Sequence, residues 1–471
     1  MKSKIDAADR ALIFWTIIIA VFALGLRLAY QDGMLAFDGS FNNGSDSGKY
    51  ISAARSLWLT GSMPETERLP LYIYFVAAMF KTIGTESLRA VVSVQACFDA
   101  LSVLGIALAA RAMARELVIP AAITAAIIPN FVVHSSYILT ENIFLLFLTW
   151  GLCALLWAVK SRRIFGFLSL AGMMFGLTLL TRLTLAYLPL FLVPALIIAL
   201  RVERGLPFVR CIALSLVAPI VMAIVASPLL IYNYVHYGYL ALSSEAGSHL
   251  LFWVYGCLAT PWPCADRARI VAAVAPIANE HVRLVAGEHA NPFAASALLQ
   301  TFAFQRILDL PLWQIAWGWS WGAFRNLMQT GFYQVLTQFN QPPSFFSAMH
   351  GTGPLERIGE FVRTNWNNPF MILWVISQLT LVVSRVVQFL GALTGLARPQ
   401  FRGPVLLLIV LIVYVLALNG PVADPKYRIP MEPALLVLFA IGLTFSPPVL
   451  ILRSWIAVHI NRLTKQRLRS A

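Results

Sequence analysis

Two carboxylates and a set of cations stand where long apolar runs give way to short polar breaks. Asp46 follows the first such run, in Asn43-Gly-Ser-Asp-Ser-Gly-Lys-Tyr50, and Glu141 opens a later one in Tyr137-Ile-Leu-Thr-Glu-Asn142. Arg68, Arg182, Lys426 and Arg428 occupy breaks of the same kind, as do Lys49 and His134. A carboxylate at such a boundary can take the proton of a hydroxyl. Guanidinium and ammonium groups can hold an anion, and arginine offers the paired N–H geometry that phosphate oxygens accept. Charge beside hydrocarbon is costly unless it is paired or functional, so the set suits an ionised head group on a lipid.

The elements that must position these residues are membrane helices. Across 471 residues the chain is 59% hydrophobic and 12% charged, with mean hydropathy +0.75, a polytopic composition. The net charge of +14 is spread in short clusters between apolar runs, which is a topology signal rather than a nucleic-acid footprint. Ala11–Tyr30 reads as a retained first span, because no small-x-small cleavage site follows it. Further spans are expected at Leu88–Ala110, Val118–Val133 (interrupted by Pro120 and Pro129), Asn142–Val159, Ile164–Leu180, Leu183–Leu200, Cys211–Tyr232, Met371–Leu396, Val405–Leu418 and Ala434–Leu452. That is an all-α integral membrane bundle of about ten transmembrane helices. The clusters Lys160/Arg162/Arg163, Arg201/Arg204/Arg210 and Arg398/Arg402 then face the cytoplasm, with both termini, and Arg182 faces outward against the general bias.

Between the first two spans, Ser45 caps a short helix. Tyr50, Ala53, Ala54, Leu57 and Trp58 recur on one of its faces, so it lies along the membrane rather than across it. Arg68-Leu-Pro-Leu-Tyr-Ile-Tyr74 opens a second short apolar stretch. Were Leu69–Phe80 to cross, the Lys160 and Arg201 clusters would face outward. Three regions follow: 1–232, a transmembrane module holding the first outer loop (31–87); 233–370, an outer loop or small outer domain with an interfacial helix at Leu308–Met328, rich in tryptophan; and 371–471, the last helices and a basic tail. Cys97, Cys153 and Cys211 sit in apolar runs. Cys257 and Cys264 flank Pro261-Trp-Pro263 in the outer region, and whether they pair is left open. No His/Cys cluster has metal-ligand spacing.

Asp46-x-x-x-Tyr50-x-x-Ala53 followed by Arg68-x-Pro70-Leu71-Tyr72 resembles the first outer loop of the GT-C membrane glycosyltransferases, nearest the dolichyl-phosphate-mannose-protein mannosyltransferases and the bacterial aminoarabinose transferase of lipid A. Thr140-Glu141, Thr181-Arg182 and Asp424-Pro-Lys-Tyr-Arg-Ile-Pro-Met-Glu-Pro433 resemble later motifs in the family's order, Lys426 standing where the first arginine usually is. Ser227-Pro-Leu-Leu-Ile-Tyr-Asn233 resembles the start of its large outer loop, with Leu229 for tryptophan and Tyr232 for arginine, leaving Asn233. The resemblance implies a GT-C-like bundle with outer juxtamembrane helices and a modest outer domain. It implies transfer of one sugar from a polyprenyl-phosphate carrier to an acceptor hydroxyl, with inversion. Asp46 and Glu141 would be catalytic, Arg68, Arg182, Lys426 and Arg428 would bind the donor phosphate, and Tyr50, His134 and Asn233 would line the substrate pocket. It leaves Glu141 open as a ligand for a divalent cation.

The implied partners are a polyprenyl-phosphate-linked sugar donor, membrane lipids, and a lipid, glycan or protein acceptor, with no nucleic acid. The implied place is a bacterial inner membrane, the site facing the periplasm. Two other classes stay open: a lipid-linked oligosaccharide ligase or polymerase, or a flippase. Transporters often show duplicated halves and charges near the midplane; this chain has no visible duplication and its charges sit at run ends. A scaffold without catalysis is less favoured by the presence of Asp46, Glu141 and Arg428.

Overall fold

The bilayer offers the backbone no hydrogen-bond partners, so apolar runs must satisfy their own amides as helices. The computed structural model describes residues 7–38, 41, 45–63, 65–260, 262–287, 291–332, 334–335, 353–368, 370–451 and 454, and among them there is helix and no strand. The first half runs α1 (Ala7–Asp38), α2 (Ser45–Thr60), α3 (Pro70–Ile83), α4 (Leu88–Arg111), α5 (Val118–Ile127), α6 (Pro129–His134), α7 (Glu141–Lys160), α8 (Ile164–Leu179), α9 (Leu188–Arg204), α10 (Phe208–Ser215) and α11 (Val217–Tyr237). The middle of the chain adds α12 (Ala246–Leu258), α13 (Arg267–Ala286), α14 (Pro292–Leu308), α15 (Leu312–Met328) and α16 (Pro354–Asn365). α17 (Met371–Ala397), α18 (Arg402–Asn419) and α19 (Glu432–Phe445) close it. Of the last twenty residues only Ser454 is described, so most of the basic tail lies outside the described residues.

Seven helical segments among the described residues are long and apolar enough to span a membrane. The sequence leads to about ten, and the difference lies in three short crossings: α8 with 16 residues, α9 with 17, and the α5–α6 pair. The last is broken where Pro129, lacking an N–H, cannot bond the Ala125 carbonyl. Arg27 of α1 repairs the break. Its guanidinium donates to the carbonyls of Ala126 (2.6 Å) and Ala125 (3.3 Å) while it pairs with Asp99 of α4 (3.3 Å). Both side chains are fully buried, so one ion pair ties α1, α4 and α5 together inside the apolar core.

The core lies among α4, α5, α7, α8, α9, α18 and α19. Alanines at 121, 122, 125 and 126 are buried completely or nearly so, and small residues let helix backbones approach closely where lipid gives no hydrophobic drive between them. Ion pairs show which helix ends lie together. At one end Asp9 pairs with Arg111 and Arg115, Lys160 with Glu203, and Glu203 also accepts from the Gly403 N–H. At the other, the Leu71 N–H donates to the Leu180 carbonyl, Arg55 pairs with Glu86, and Arg89 with Asp32. α3 therefore starts and finishes at the same end, packed on α2, and does not cross. Ser45 is already helical in α2 rather than its cap.

Candidate functional site

The second end, where α3 lies, carries the polar cluster. Asp46, in the first turn of α2, is 3.1 Å from Arg68 and 3.6 Å from Lys426. Arg68 also reaches Glu245 at 2.7 Å, which leaves its Nε a buried donor with no partner among the described residues. The loop that carries Arg68 is stitched to the segment before α12. The Ser244 N–H donates to the Thr66 carbonyl at 3.0 Å, and Ser243 Oγ donates to the Glu67 carbonyl at 2.6 Å. Beneath this, Arg182 pairs with Glu141 at the start of α7, where the helix dipole also favours a carboxylate. Tyr50 is buried, packed edge-on against Tyr72 with ring centroids 5.1 Å apart, and the Arg68 guanidinium lies 5.8 Å from its ring centre.

Lys426 is held in place by α15. Gly322 lets that helix close on the turn at Gly420: a Cβ at Gly322 would stand 2.0 Å from the Gly420 carbonyl oxygen, and Gly420 itself has φ +56°. Trp319 donates to the Ala417 carbonyl (3.1 Å) and Asn326 to the Val422 carbonyl (3.0 Å), so the 417–428 stretch is fastened along two turns of helix. Asp424 then caps the short turn Pro425–Arg428, accepting from the Lys426 N–H at 2.9 Å.

Of the residues singled out from sequence, the structure brings together Asp46, Tyr50, Arg68, Glu141, Arg182 and Lys426. His134 joins them from α6: it is buried, bonded through Nδ1 to the Asn130 carbonyl at 2.7 Å, and feels the charges of Glu141, Asp424 and Lys426. Arg428 and Asn233 are spent elsewhere. Arg428 is 2% exposed and pairs with Glu432, donating also to the Gln329 and Asn326 carbonyls. Asn233 donates to the Ala241 carbonyl at 2.6 Å and shapes the turn after α11. Cys257 and Cys264 form a disulfide.

Two site residues were given no role from the sequence. Glu245 shares Arg68 with Asp46, and burial holds its carboxyl above the usual range, with Arg68 opposing. His249 sits in a π-helical turn of α12, a widened turn often found at functional sites. Burial, with Arg182, Lys426 and Arg68 nearby, pushes it down to about 4. Its nearness to three cations is a tertiary fact; the one local signal was the polar-rich stretch Ser243-Ser-Glu-Ala-Gly-Ser-His249, a few residues after α11.

The cluster thus gathers three cations, Arg68, Arg182 and Lys426, against three counter-charges, Asp46, Glu141 and Glu245. Among the described residues no three His, Cys, Asp or Glu side chains are gathered to hold a metal ion. Each of those three carboxylates already faces a guanidinium or an ammonium, so the donor set is arranged as ion pairs rather than as a cation cage.

Seven helical segments among the described residues, long and apolar enough to span, with a polar cluster at one end and a helical elaboration beside it, define a multi-pass membrane protein. The chain superposes on the oligosaccharyltransferase AglB from Archaeoglobus fulgidus, in complex with an inhibitory peptide and a dolichol-phosphate, with a TM-score of 0.54 at 14% identity, covering 96% of this chain and 52% of that one. The apo form of that enzyme gives 0.54 over 97% and 52% at the same 14% identity. This chain therefore spans about half the length of the solved structure it matches, and the likeness is one of fold. ArnT from Cupriavidus metallidurans superposes more loosely, with a TM-score of 0.39 at 14% identity over 92% of this chain and 78% of that one. In sequence, the family described as dolichyl-phosphate-mannose-protein mannosyltransferase matches residues 67–232, the stretch that includes Arg68, His134, Glu141 and Arg182. No curated protein matches the chain in sequence.

Proposed function

We propose that the protein transfers a sugar from a polyprenyl-phosphate carrier to an acceptor hydroxyl at the non-cytoplasmic face of the membrane. The observation that carries this reading is the position of Asp46 within 3.1 Å of Arg68 and 3.6 Å of Lys426, at a helix end beside the bilayer. A lipid phosphate reaching the cluster competes with Asp46 for those two cations, and Arg68 Nε and Arg182 add further donors. The cations stabilise the negative charge that gathers on the phosphate as the bond from its oxygen to the anomeric carbon breaks. Asp46 takes the proton of the acceptor hydroxyl, whose oxygen forms the new bond to that carbon. Displacement in one step inverts the anomeric centre. Glu141 holds Arg182 in place and does not touch the reacting atoms.

The fold supports the reading, since AglB, of the same fold, has been solved with a dolichol-phosphate. So does the charge pattern: basic clusters lie at the end opposite the site, which supports a cytoplasmic setting for that end, and the envelope of a bacterial cell is the setting we infer. Arg428, committed to Glu432, serves by fixing the turn that carries Lys426 rather than by meeting phosphate. The test is transfer from a polyprenyl-phosphate-linked sugar by reconstituted protein, with Asp46→Asn alongside. We expect the variant to insert and fold as the parent does and to lose transfer. Transfer at the parental rate by Asp46→Asn removes the residue from its role. Mass analysis of the product separates one sugar from a whole oligosaccharide.

A further inference from the structure

A cavity of about 650 Å³ opens beside the charged cluster, between α2, the loop at 65–67, the segment at 244–248 and the start of α14. Its size is in the range of small-molecule sites, roughly 300–1,000 Å³. Its wall carries six hydroxyl groups, from Ser52, Ser56, Thr66, Ser244, Ser248 and Ser296, with the carboxylates of Glu65 and Glu67, and it has no lysine, arginine or aromatic side chain.

The hydrogen-bond directions decide what such a wall can hold. Ser52 donates its proton to the Lys49 carbonyl (3.1 Å), Ser56 to that of Ser62 (3.2 Å) and Ser248 to that of Glu245 (2.9 Å). Thr66 and Ser244 share one bond at 2.9 Å. What these hydroxyls have left is mainly lone pairs, because each carries one donor and two acceptor sites. Of the two carboxylates, Glu67 pairs with Lys49 at 3.1 Å and Glu65 accepts from the Glu67 and Arg68 N–H groups. The wall therefore offers acceptors to a ligand rich in O–H donors, and it is lined by no cation that would hold a phosphate or carboxylate.

Its place is as telling as its chemistry. Ala53, on its wall, lies two turns along α2 from Asp46, about 10 Å away at 1.5 Å per residue. Glu67 and Ser244 are the chain neighbours of Arg68 and Glu245, which pair with each other at the cluster. We infer that this groove is the acceptor site and that it takes a neutral, polyhydroxylated saccharide. Its part in the reaction rests on the transferase reading; its preference in binding does not. The anionic carrier and the neutral acceptor are thus sorted by two adjoining surfaces, one built of cations and the other of hydroxyls.

The test uses full-length protein in nanodiscs and saturation-transfer NMR with three soluble probes: maltotriose, its singly phosphorylated counterpart, and the tetrapeptide Ala-Ser-Thr-Ala. Undecaprenyl phosphate binding is measured in the same nanodiscs. Ser52→Arg and Ser56→Arg, both on the exposed side of α2, bring bulk and positive charge into the groove. We expect maltotriose to bind, the phosphorylated probe to bind about tenfold more weakly, and each variant to lose about tenfold for maltotriose with prenyl-phosphate binding and melting temperature unchanged. Stronger binding of the phosphorylated probe or the peptide overturns the inference. So does parental maltotriose binding in both variants, or prenyl-phosphate binding with no response from maltotriose. Maltotriose held in the groove without any binding of prenyl phosphate removes the donor reading instead and leaves this one standing.

Discussion

Arg182→Gln strands the Glu141 carboxylate, whose side chain is only 4% exposed, at the start of α7. Breaking a fully buried pair from one side costs about 3–5 kcal/mol, because the remaining charge is left without compensation. Arg182 itself keeps 19% exposure, so water enters as it leaves, and the helix dipole returns about 0.3–1 kcal/mol to the carboxylate. The expected loss of stability is therefore about 2–4 kcal/mol. Adding Glu141→Gln replaces the pair by two amides and should recover most of that loss. Unfolding is followed in detergent by intrinsic tryptophan fluorescence, and transfer by single turnover with a polyprenyl-phosphate-linked donor. If Arg182 contributes a donor to the departing phosphate, the double variant regains stability while transfer stays down by a factor of about 10²–10³, the loss typical of removing one such donor. Recovery of transfer together with stability would refute the phosphate contact and reduce Arg182 to a partner of Glu141. A single variant within about 0.5 kcal/mol of the parent would refute the reasoning at its base, since that is the range of an exposed surface change.

His249, held near pH 4 against an ordinary 6.5, stays neutral in the folded protein while the unfolded chain takes up a proton as the pH falls. Its stabilising contribution is whole above about pH 6.5 and is lost toward pH 4, by up to about 3 kcal/mol; His249→Gln should flatten that part of a melting-temperature profile. Arg27→Leu leaves Asp99 alone in the core and uncaps α5, at a cost of about 3–5 kcal/mol measured by thermal unfolding, while Arg27→Leu with Asp99→Leu should cost less than the single change. Reducing Cys257–Cys264, which closes a loop of separation 7, should lower stability by about 2–3 kcal/mol, and peptide mapping without reductant should find the linked fragments. Because the site's carboxylates face cations, transfer should survive chelation of divalent ions; loss on chelation and return with added magnesium would show that a metal enters the cluster.

The long spans were legible because apolar length is a one-dimensional property, and the break at Pro129 could be read because proline removes a defined hydrogen bond. The repair of that break could not. Arg27 and Asp99 stand 72 residues apart in two apolar runs, and nothing local to either names the other. The C-terminal motif shows where reading stops within four residues. Lys426 and Arg428 look equivalent as cations for a phosphate, and the sequence places both in one turn. In a helical turn residues two apart differ by about 200° around the axis, so they cannot both face one site. The discriminating signal was present in Glu432, four residues after Arg428, the spacing at which a carboxylate and a guanidinium on one helix face meet. With Arg428 turned inward against Glu432, Lys426 is the residue aimed at Asp46. Arg428→Ala should then lower stability and transfer together, whereas Lys426→Ala should lower transfer in a protein that melts as the parent does. The reverse pattern would mean that the turn presents its other side to the lipid phosphate.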